Sequence, residues 1–169
     1  MTLAANEERL RADIVRLAEQ ECRLQLPRLD ADLAWTLGTQ LREAARASSV
    51  GVTIEIRIGA ETVFFHAMHS TAPANADWAR RKRNASELLD QSSYRIGREL
   101  LLEGTTLEAK MGLPVRDYAW HGGAVPLRVA GTRLGTVTVS GLPQREDHNL
   151  VVEVLAPLCG VALEGLALD

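Results

Sequence analysis

A strict alternation of apolar and other residues over positions 50–58 restricts the fold more than any other feature. The apolar members of this stretch are Val50, Val52, Ile54, Ile56 and Ile58. Successive side chains of a strand point to opposite faces, so the pattern predicts a β-strand with one apolar and one mixed face. The turn residues Gly59-Ala60-Glu61 and the β-rich stretch 62–68 that follows make an antiparallel hairpin the economical interpretation.

A second hairpin is predicted over residues 124–130 and 133–140, which are β-rich and separated by Gly131-Thr132. Pro126 favours an edge position or a bulge for the first of these strands, because proline cannot donate to a sheet ladder. A shorter alternating stretch, residues 22–26, ends before Pro27 and predicts a fifth strand with one buried face.

Helical spacing of apolar residues and capping residues predicts the other elements. The first helix is predicted over residues 6–21 and the second from an Asp30 cap to Ala47. The third runs from an Asn75 cap to about Asp90, and the fourth from a Ser92 cap to Gly104. A short helical turn capped by Thr105 follows, and the last helix begins at 144–147 and is expected to kink or break at Pro157. The buried side of the third is expected to carry Trp78, Ala85, Leu88 and Leu89. The order predicts one α+β domain over residues 1–169, an α/β sandwich with a five-stranded, mostly antiparallel sheet and flanking helices.

Charge and composition narrow the classes of partner. The 169-residue chain has 19 Lys plus Arg against 22 Asp plus Glu, so neither nucleic acid nor a membrane is expected as a partner. The charged N-terminus does not resemble a signal peptide, and no apolar run approaches the roughly 18 residues of a membrane span. We therefore expect a soluble cytoplasmic protein in which Cys22 and Cys159 are buried free thiols.

Four cations are concentrated between Trp78 and Asn84, namely Arg80, Arg81, Lys82 and Arg83. At helical spacing Lys82 lies near the Trp78 side, which is expected to face inward. An inward ammonium group needs a carboxylate, a carbonyl or a bound anion to offset its desolvation. Two interpretations stay open, a solvated face with one structural ion pair and an anion-binding pocket.

His121, Gly122 and Gly123 immediately precede the predicted strand at 124. Paired glycines let the backbone approach a ligand closely and expose N–H donors, and an imidazole beside them could bind a carboxylate or act as acid or base. Equally, the glycines could make a tight entry into the sheet and the histidine could hydrogen-bond structurally. At the other end of that hairpin, Ser140 leads into a helix whose first turn contains Asp147, where either an anion or Asp147 itself could occupy the positive helix end.

The sequence gives little support for other catalytic sites or for a metal site. Ser140, His121 and Asp147 could form a hydrolase triad on paper, but Ser140 lacks the Gly-x-Ser-x-Gly context. His66 and His69 have no cysteine or carboxylate nearby at ligand spacing, so no metal site is expected. A phosphate-binding loop and a dinucleotide fingerprint are both missing from the sequence.

Four segments together resemble one family. They are DWARRKRN at 77–84, SSY at 92–94, YAWHGGAVP at 118–126 and GTVTVSGLPQREDH at 135–148. The family is the uncharacterised branch of the haem-degrading-domain superfamily, whose members are GlcG- and HbpS-like. The resemblance implies a profilin-like α/β sandwich and assembly into dimers or larger homo-oligomers. The motif positions it carries over are Trp78, Arg81, Lys82, Asn84, His121, Gly122, Gly123, Ser140 and Asp147.

The leading functional hypothesis is a cytoplasmic homo-oligomer that binds a small, anionic ligand between Lys82, the His121 loop and the Ser140 turn. An alternative is an enzyme in which His121 acts as general base and Lys82 or Arg81 polarises a small acid or carbonyl substrate. A third hypothesis is a scaffold that binds partners through its assembled surface. Haem is a cofactor that the resemblance implies, although the chain has no Cys-x-x-Cys-His motif and no export signal like that of most haem-binding relatives.

Overall fold

The computed structural model describes residues 3–168 and contains six helices and four strands in that range. The helices are α1 (Leu3–Arg23), α2 (Ala31–Ala47), α3 (Pro73–Leu89), α4 (Ser93–Glu103), α5 (Leu107–Met111) and α6 (Gln144–Leu158). The strands are β1 (Thr53–Ile58), β2 (Glu61–Ala67), β3 (Ala124–Val129) and β4 (Thr132–Ser140). Helices flank one sheet, which confirms the predicted α+β class.

The sheet has the order β2-β1-β4-β3, and every neighbouring pair is antiparallel. Both predicted hairpins are confirmed, and β1 joins them by pairing with β4, so that Ile54 faces Val139. Pro126 lies in β3, which is an edge strand as its missing N–H requires.

The predicted fifth strand at 22–26 is wrong. Helix α1 continues to Arg23, and beyond it Gln25 makes a single parallel bridge with Arg128. Leu24 and Leu26 are both buried in the main core, which explains the alternation of apolar residues. The segment has too few residues between the helix end and Pro27 to form a ladder, so it acts as a buried connection.

The two faces of the sheet differ in chemistry, as the alternation predicts. The apolar face packs against α2 and α6 in a core that includes Leu37, Leu41, Ile54, Ile56, Val137, Val139, Val151 and Leu155. The opposite face is covered by α3 through ion pairs, with both Glu55 oxygens 2.7 and 2.8 Å from Arg83 Nη1 and with Arg57 Nη1 3.1 Å from Glu87 Oε2. Helix α3 therefore lies on a polar surface and is positioned by charge pairing.

Two of the predicted caps are confirmed and two are wrong. Asp30 accepts from the Leu33 N–H at 2.9 Å, and Ser92 accepts from the Arg95 N–H at 3.4 Å. Asn75 is not the cap of α3, because the helix starts earlier at Pro73, a residue whose fixed φ and missing N–H suit a first helical position. For α5 the cap is Thr106 instead of Thr105, since the Thr106 hydroxyl accepts from the Ala109 N–H.

Three further expectations need correction or refinement. Leu88 is 51% exposed, because the inward stripe of α3 runs through Ala79, Lys82, Ala85 and Ser86. Both cysteines are free, but Cys22 is exposed and Cys159 is half-buried, which raises the pKa of the Cys159 thiol to about 11. Of the kink or break expected at Pro157, the structure shows the break, since α6 stops at the next residue.

Across residues 3–168, none of the helices combines the length and the apolar character that crossing a bilayer requires.

His148 on α6 joins three parts of the chain from a fully buried position. Its Nε2 lies 2.8 Å from Gln20 Oε1, and Gln20 Nε2 donates to the Leu166 carbonyl oxygen at 2.6 Å. An amide oxygen only accepts, so the His148 Nε2 carries the proton. Burial, with a smaller contribution from the charge of Arg145, lowers the pKa of His148 to about 3, and the imidazole is neutral.

This burial predicts a loss of stability in mild acid. The unfolded chain takes up a proton on His148 below its ordinary pKa of about 6.5, while the folded chain does not until about pH 3. The free energy of unfolding should therefore fall with decreasing pH below 6.5, by about 1.4 kcal/mol per pH unit from this group. Urea unfolding at several pH values between 7 and 4.5 should show this slope in the wild type and a smaller one in His148→Gln. The exposed His69→Gln is the control, and an unchanged slope in His148→Gln would contradict the assignment.

Candidate ligand-binding site

A recess of about 260 Å³ opens where β4 ends and where α3 and α6 begin. It is lined by Asn75, Trp78, Lys82, His121, Ser140, Gly141, Leu142, Gln144 and Asp147. The antiparallel pairing of β3 with β4 brings the loop before β3 beside the end of β4, which is why segments distant in sequence meet here. Lys82, His121 and Ser140, named from the sequence, thus share one cavity.

Lys82 faces inward, as its helical position predicts, and is compensated within the chain. Its Nζ lies 2.7 Å from Asp147 Oδ2 and 3.2 Å from the Val139 carbonyl oxygen, and both charged residues are buried. Burial lowers the pKa of Lys82 and raises the pKa of Asp147, and in each case the charge of the partner opposes the shift. Of the two interpretations that the sequence left open, the structural ion pair is present. Lys82 directs two of its three N–H donors at partners in the described chain.

Asp147 organises the turn between β4 and α6. Its carboxylate accepts from the Leu142 N–H at 3.0 Å and from the Gly141 N–H at 3.4 Å, in addition to Lys82. It is the fourth residue of α6, and its oxygens point back to the turn instead of capping the helix. Neither Ala72 nor Pro143, the residues that precede α3 and α6, caps its helix with a side chain, although Asn75 Oδ1 accepts from the Ala72 N–H at 2.9 Å. Two positive helix ends therefore border the recess.

His121 contributes a neutral imidazole. Its ring contacts Trp78 edge-on, with centroids 4.9 Å apart, and stacks against Trp120 at 6.2 Å. Burial lowers the pKa of His121, and the charges of Lys82, Arg81 and Arg98 lower it further. Its Nδ1 is buried and has no hydrogen-bond partner within residues 3–168. A neutral imidazole has one donor and one acceptor nitrogen, and of these Nδ1 is not exposed to the recess.

Gly122 and Gly123 allow the His121 loop to pack closely against neighbouring backbone segments. Gly123 has φ +129°, and a Cβ there would lie 2.2 Å from the Val139 carbonyl oxygen and 3.0 Å from Lys82 Nζ. A Cβ on Gly122 would lie 2.0 Å from the Gln144 carbonyl oxygen. The glycines therefore seat the His121 loop against β4 and α6, in line with the interpretation as a tight entry into the sheet.

Four of the predicted site residues do not line the recess, namely Arg81, Asn84, Gly122 and Gly123. Arg81 stacks over the Trp78 ring at 4.3 Å and donates to the Val115 carbonyl oxygen. Asn84 donates to the Asp117 carbonyl oxygen at 2.9 Å. These side chains anchor the loop before β3 and act on the recess only through it.

Sequence reasoning missed Asn75, Leu142 and Gln144 as lining residues. Asn75 and Gln144 lie in the first turns of α3 and α6, close to Pro73 and Pro143. Prolines at helix starts mark N-termini, so two such signals near the candidate motifs could have indicated that both helix ends meet at one site.

His66 and His69 do not take part in a metal centre in the described range. Within residues 3–168, the side chains form no group of three or more metal-ligating residues.

A model of the family "Haem degrading protein HbpS-like" matches residues 29–156, which include all the lining residues. The chain belongs to this family. A UPF0303 protein of Azotobacter vinelandii is 50% identical over 158 residues, which cover 93% of this chain and 95% of that protein. A UPF0303 protein of Rhizobium meliloti is 49% identical over 158 residues, which cover 93% of this chain and 96% of that protein. The resemblance read from the sequence motifs is thereby confirmed.

Solved structures agree with the fold. The crystal structure of Ybr137w protein superposes with a TM-score of 0.81 at 27% identity, covering 87% of both chains. HbpS, with a TM-score of 0.63, and the PduOC:Heme complex, with 0.65, are each 17% identical and show the fold alone. The match covers 79% of this chain and 92% of HbpS, and 76% of this chain and 93% of PduOC.

The recess of one chain does not fit haem. His121 is the one imidazole that lines it, and its Nδ1 is of the type that can ligate iron. However, its volume of about 260 Å³ is below the roughly 300–1,000 Å³ of cavities that enclose drug-sized ligands, and a porphyrin is larger than most of these. The lining is also polar around Lys82 and Asp147.

The ion pair predicts an asymmetric response to mutation. Lys82→Met should destabilise the protein by about 3–5 kcal/mol, because it leaves Asp147 buried without its counter-charge. The double variant Lys82→Met with Asp147→Asn should recover part of that loss. Urea unfolding of the wild type, of the single variants Lys82→Met and Asp147→Asn and of the double variant checks this, with Lys110→Met on the exposed face of α5 as the control. A double variant as unstable as the sum of its single changes would show that the charges are not coupled.

Proposed function

We propose that this protein binds a small molecule carrying a carboxylate in the recess between β4, α3 and α6. The observation that supports it best is the convergence of Lys82, His121 and the N-terminal turns of α3 and α6 on one cavity. Lys82, His121 and the helix ends supply N–H donors or a positive potential. Of the two acids in the first turn of α6, Glu146 and Asp147, the one that lines the recess is paired with Lys82. An oxyanion is the guest whose chemistry complements this set.

The geometry suggests how such a guest is held. One carboxylate oxygen accepts from the remaining N–H of Lys82, whose charge is only partly directed at Asp147. The neutral His121 ring donates to or accepts from a neighbouring polar atom of the guest. Trp78 provides the apolar wall, so a short chain or a single ring next to the carboxylate fits the cavity of about 260 Å³.

Binding, rather than catalysis, is the function that these contacts favour. The catalytic alternative requires His121 as base and Lys82 or Arg81 as polarising group. Lys82 is held by Asp147, and Arg81 lies outside the recess against Trp78 and Val115. A neutral imidazole with no carboxylate to orient it within residues 3–168 lacks the third group of a catalytic set.

A matched pair of probes tests this function. Benzoate and benzamide have the same ring and nearly the same size, and only benzoate carries a charge. At pH 7.5 and constant ionic strength, calorimetry should show benzoate binding at least about tenfold more tightly, since charge-assisted hydrogen bonds are the stronger ones. Trp78→Leu should weaken benzoate binding by removing the apolar wall.

The control for this experiment is Leu88→Ala, an exposed apolar residue at the C-terminal end of α3, outside the recess. Equal affinity for both probes would overturn the anionic preference. Binding that Trp78→Leu leaves unchanged, or no binding of either probe, would overturn the assignment to this recess.

We further propose that the chain assembles with copies of itself through β2. Trp35 is 65% exposed and Phe65 is 53% exposed, and with Val63 they line a groove of about 530 Å³ between α2 and β2. In the described part of the chain β2 pairs on one side only, which leaves the N–H and C=O groups of its other edge open. A second copy fits this surface best, because an antiparallel β2–β2 contact repeats the same apolar patch on both partners.

A charge placed on the β2 edge should prevent this assembly. Phe65→Lys would put an ammonium group into the apolar contact and next to its symmetry mate, so the oligomer should dissociate to smaller species. Native mass spectrometry measures the subunit number. Leu88→Lys, an equally exposed apolar position on α3, should leave the subunit number unchanged. An unchanged subunit number in Phe65→Lys would place the interface elsewhere.

A further inference from the structure

A second recess lies between α1, α4 and the start of α6, and its lining is strongly basic. It has a volume of about 140 Å³. Three arginines line it, Arg9 from α1, Arg98 from α4 and Arg145 from α6, against one carboxylate, Asp13. The chain as a whole is slightly acidic, so this local excess of positive charge is unusual for it. We refer to these four residues together with Tyr94 as the arginine pocket.

The single acid of the arginine pocket is already committed to one arginine. Asp13 is buried, and its Oδ1 accepts from both terminal nitrogens of Arg145, at 3.2 and 3.0 Å. Arg145 and Asp13 thus neutralise each other. The charges of Arg9 and Arg98 remain without a counter-ion in the pocket.

Arg98 is the most unusual member of the pocket. Its guanidinium carbon lies 4.8 Å from the centre of the Tyr94 ring, and its Nε is buried without a hydrogen-bond partner in the described chain. The neighbouring Arg95 has two acidic partners, Glu21 and Glu99. By contrast, Arg98 forms no ion pair within residues 3–168. The planar guanidinium group of Arg98 is held against the Tyr94 ring, and its N–H donors have no hydrogen-bond partner within residues 3–168.

Guanidinium groups in this arrangement match a particular class of ligand. Their paired N–H donors bind planar or tetrahedral oxyanions in a bidentate manner, and Arg is the preferred residue for phosphate recognition. Two uncompensated cations balance the charge of a phosphate dianion better than that of a single carboxylate. The volume of about 140 Å³ leaves room for a phosphate group and little more, so any remainder of the ligand must extend out of the pocket.

We propose that the arginine pocket binds phosphate, either as the free ion or as the terminal phosphate group of a small molecule, with Arg98 as its main ligand. This site is separate from the carboxylate recess. The two lie on opposite sides of the His121 loop, where Gly122 packs between Tyr94 and Gln144. Binding at one does not require the other.

Calorimetry with two probes tests the proposal. Inorganic phosphate and phenyl phosphate are titrated into the full chain at pH 7.5, with sodium chloride keeping the ionic strength constant. Arg98→Gln should weaken the binding of both probes at least about tenfold, because it removes a charged donor group. The phosphate affinity of Arg98→Lys should lie between those of the wild type and Arg98→Gln, since lysine keeps the charge but loses the bidentate geometry.

The control variant is Arg11→Gln, an exposed arginine of α1 paired with Glu7. It should bind phosphate as the wild type does. Arg98 makes only a ring contact, so Arg98→Gln should fold, and circular dichroism and thermal unfolding verify this. Tighter binding of phenyl phosphate would favour a phosphate ester as the ligand, and equal binding would favour the free ion.

Three outcomes would overturn the proposal. They are an absence of phosphate binding to the wild type, equal binding by folded Arg98→Gln, and an equal loss in Arg11→Gln, which would indicate general screening of surface charge. None of them bears on benzoate binding in the carboxylate recess, which involves other residues.

Discussion

The buried ion pair between Lys82 and Asp147 is the interaction on which the candidate site depends. Helix α3 lies on the polar face of the sheet, where apolar packing alone cannot determine its position. Charge pairs hold it there, and Lys82–Asp147 is the most buried of them. Because Asp147 also accepts from the turn after β4, one carboxylate connects α3, β4 and α6. The recess exists because these three elements begin or end at the same point.

A polar layer inside a small domain is costly unless every charge in it is compensated. Most of this layer meets that condition, since Arg83 pairs with Glu55 and Arg57 with Glu87. The exceptions are informative. The unpartnered Nδ1 of His121 borders one recess and the unpaired guanidinium of Arg98 lines another. Other buried polar atoms, among them His148 Nδ1 and Thr138 Oγ1, also lack a partner within residues 3–168, so it is the combination of an unpartnered atom with a recess that marks these two positions.

The elements that local chemistry specifies could be predicted from the sequence. The alternation around Ile54 and Ile56 predicts β1 and its apolar face, and Asp30 and Ser92 cap their helices because each cap involves residues only three apart. The wrong predictions concern residues whose environment is decided by tertiary packing and not by the local sequence pattern. Leu24 and Leu26 alternate like a strand because both anchor a connection in the core. Leu88 is exposed although it follows helical spacing, because α3 presents a narrow stripe with Lys82 in it to the sheet.

What the sequence alone determined is the need for compensation: a lysine on the inward side of an amphipathic helix requires a partner of opposite charge or a carbonyl. Only the tertiary structure decided that this partner is Asp147, 65 residues further along the chain. The same holds for Arg98, whose lack of an acidic partner is invisible in a sequence where Glu99 follows it directly. Local patterns act within a few residues, whereas the sheet order and the helix crossings decide which distant charges meet. The sequence therefore specifies which residues could form a site, and the packing of α1, α3, α4 and α6 specifies which of them do.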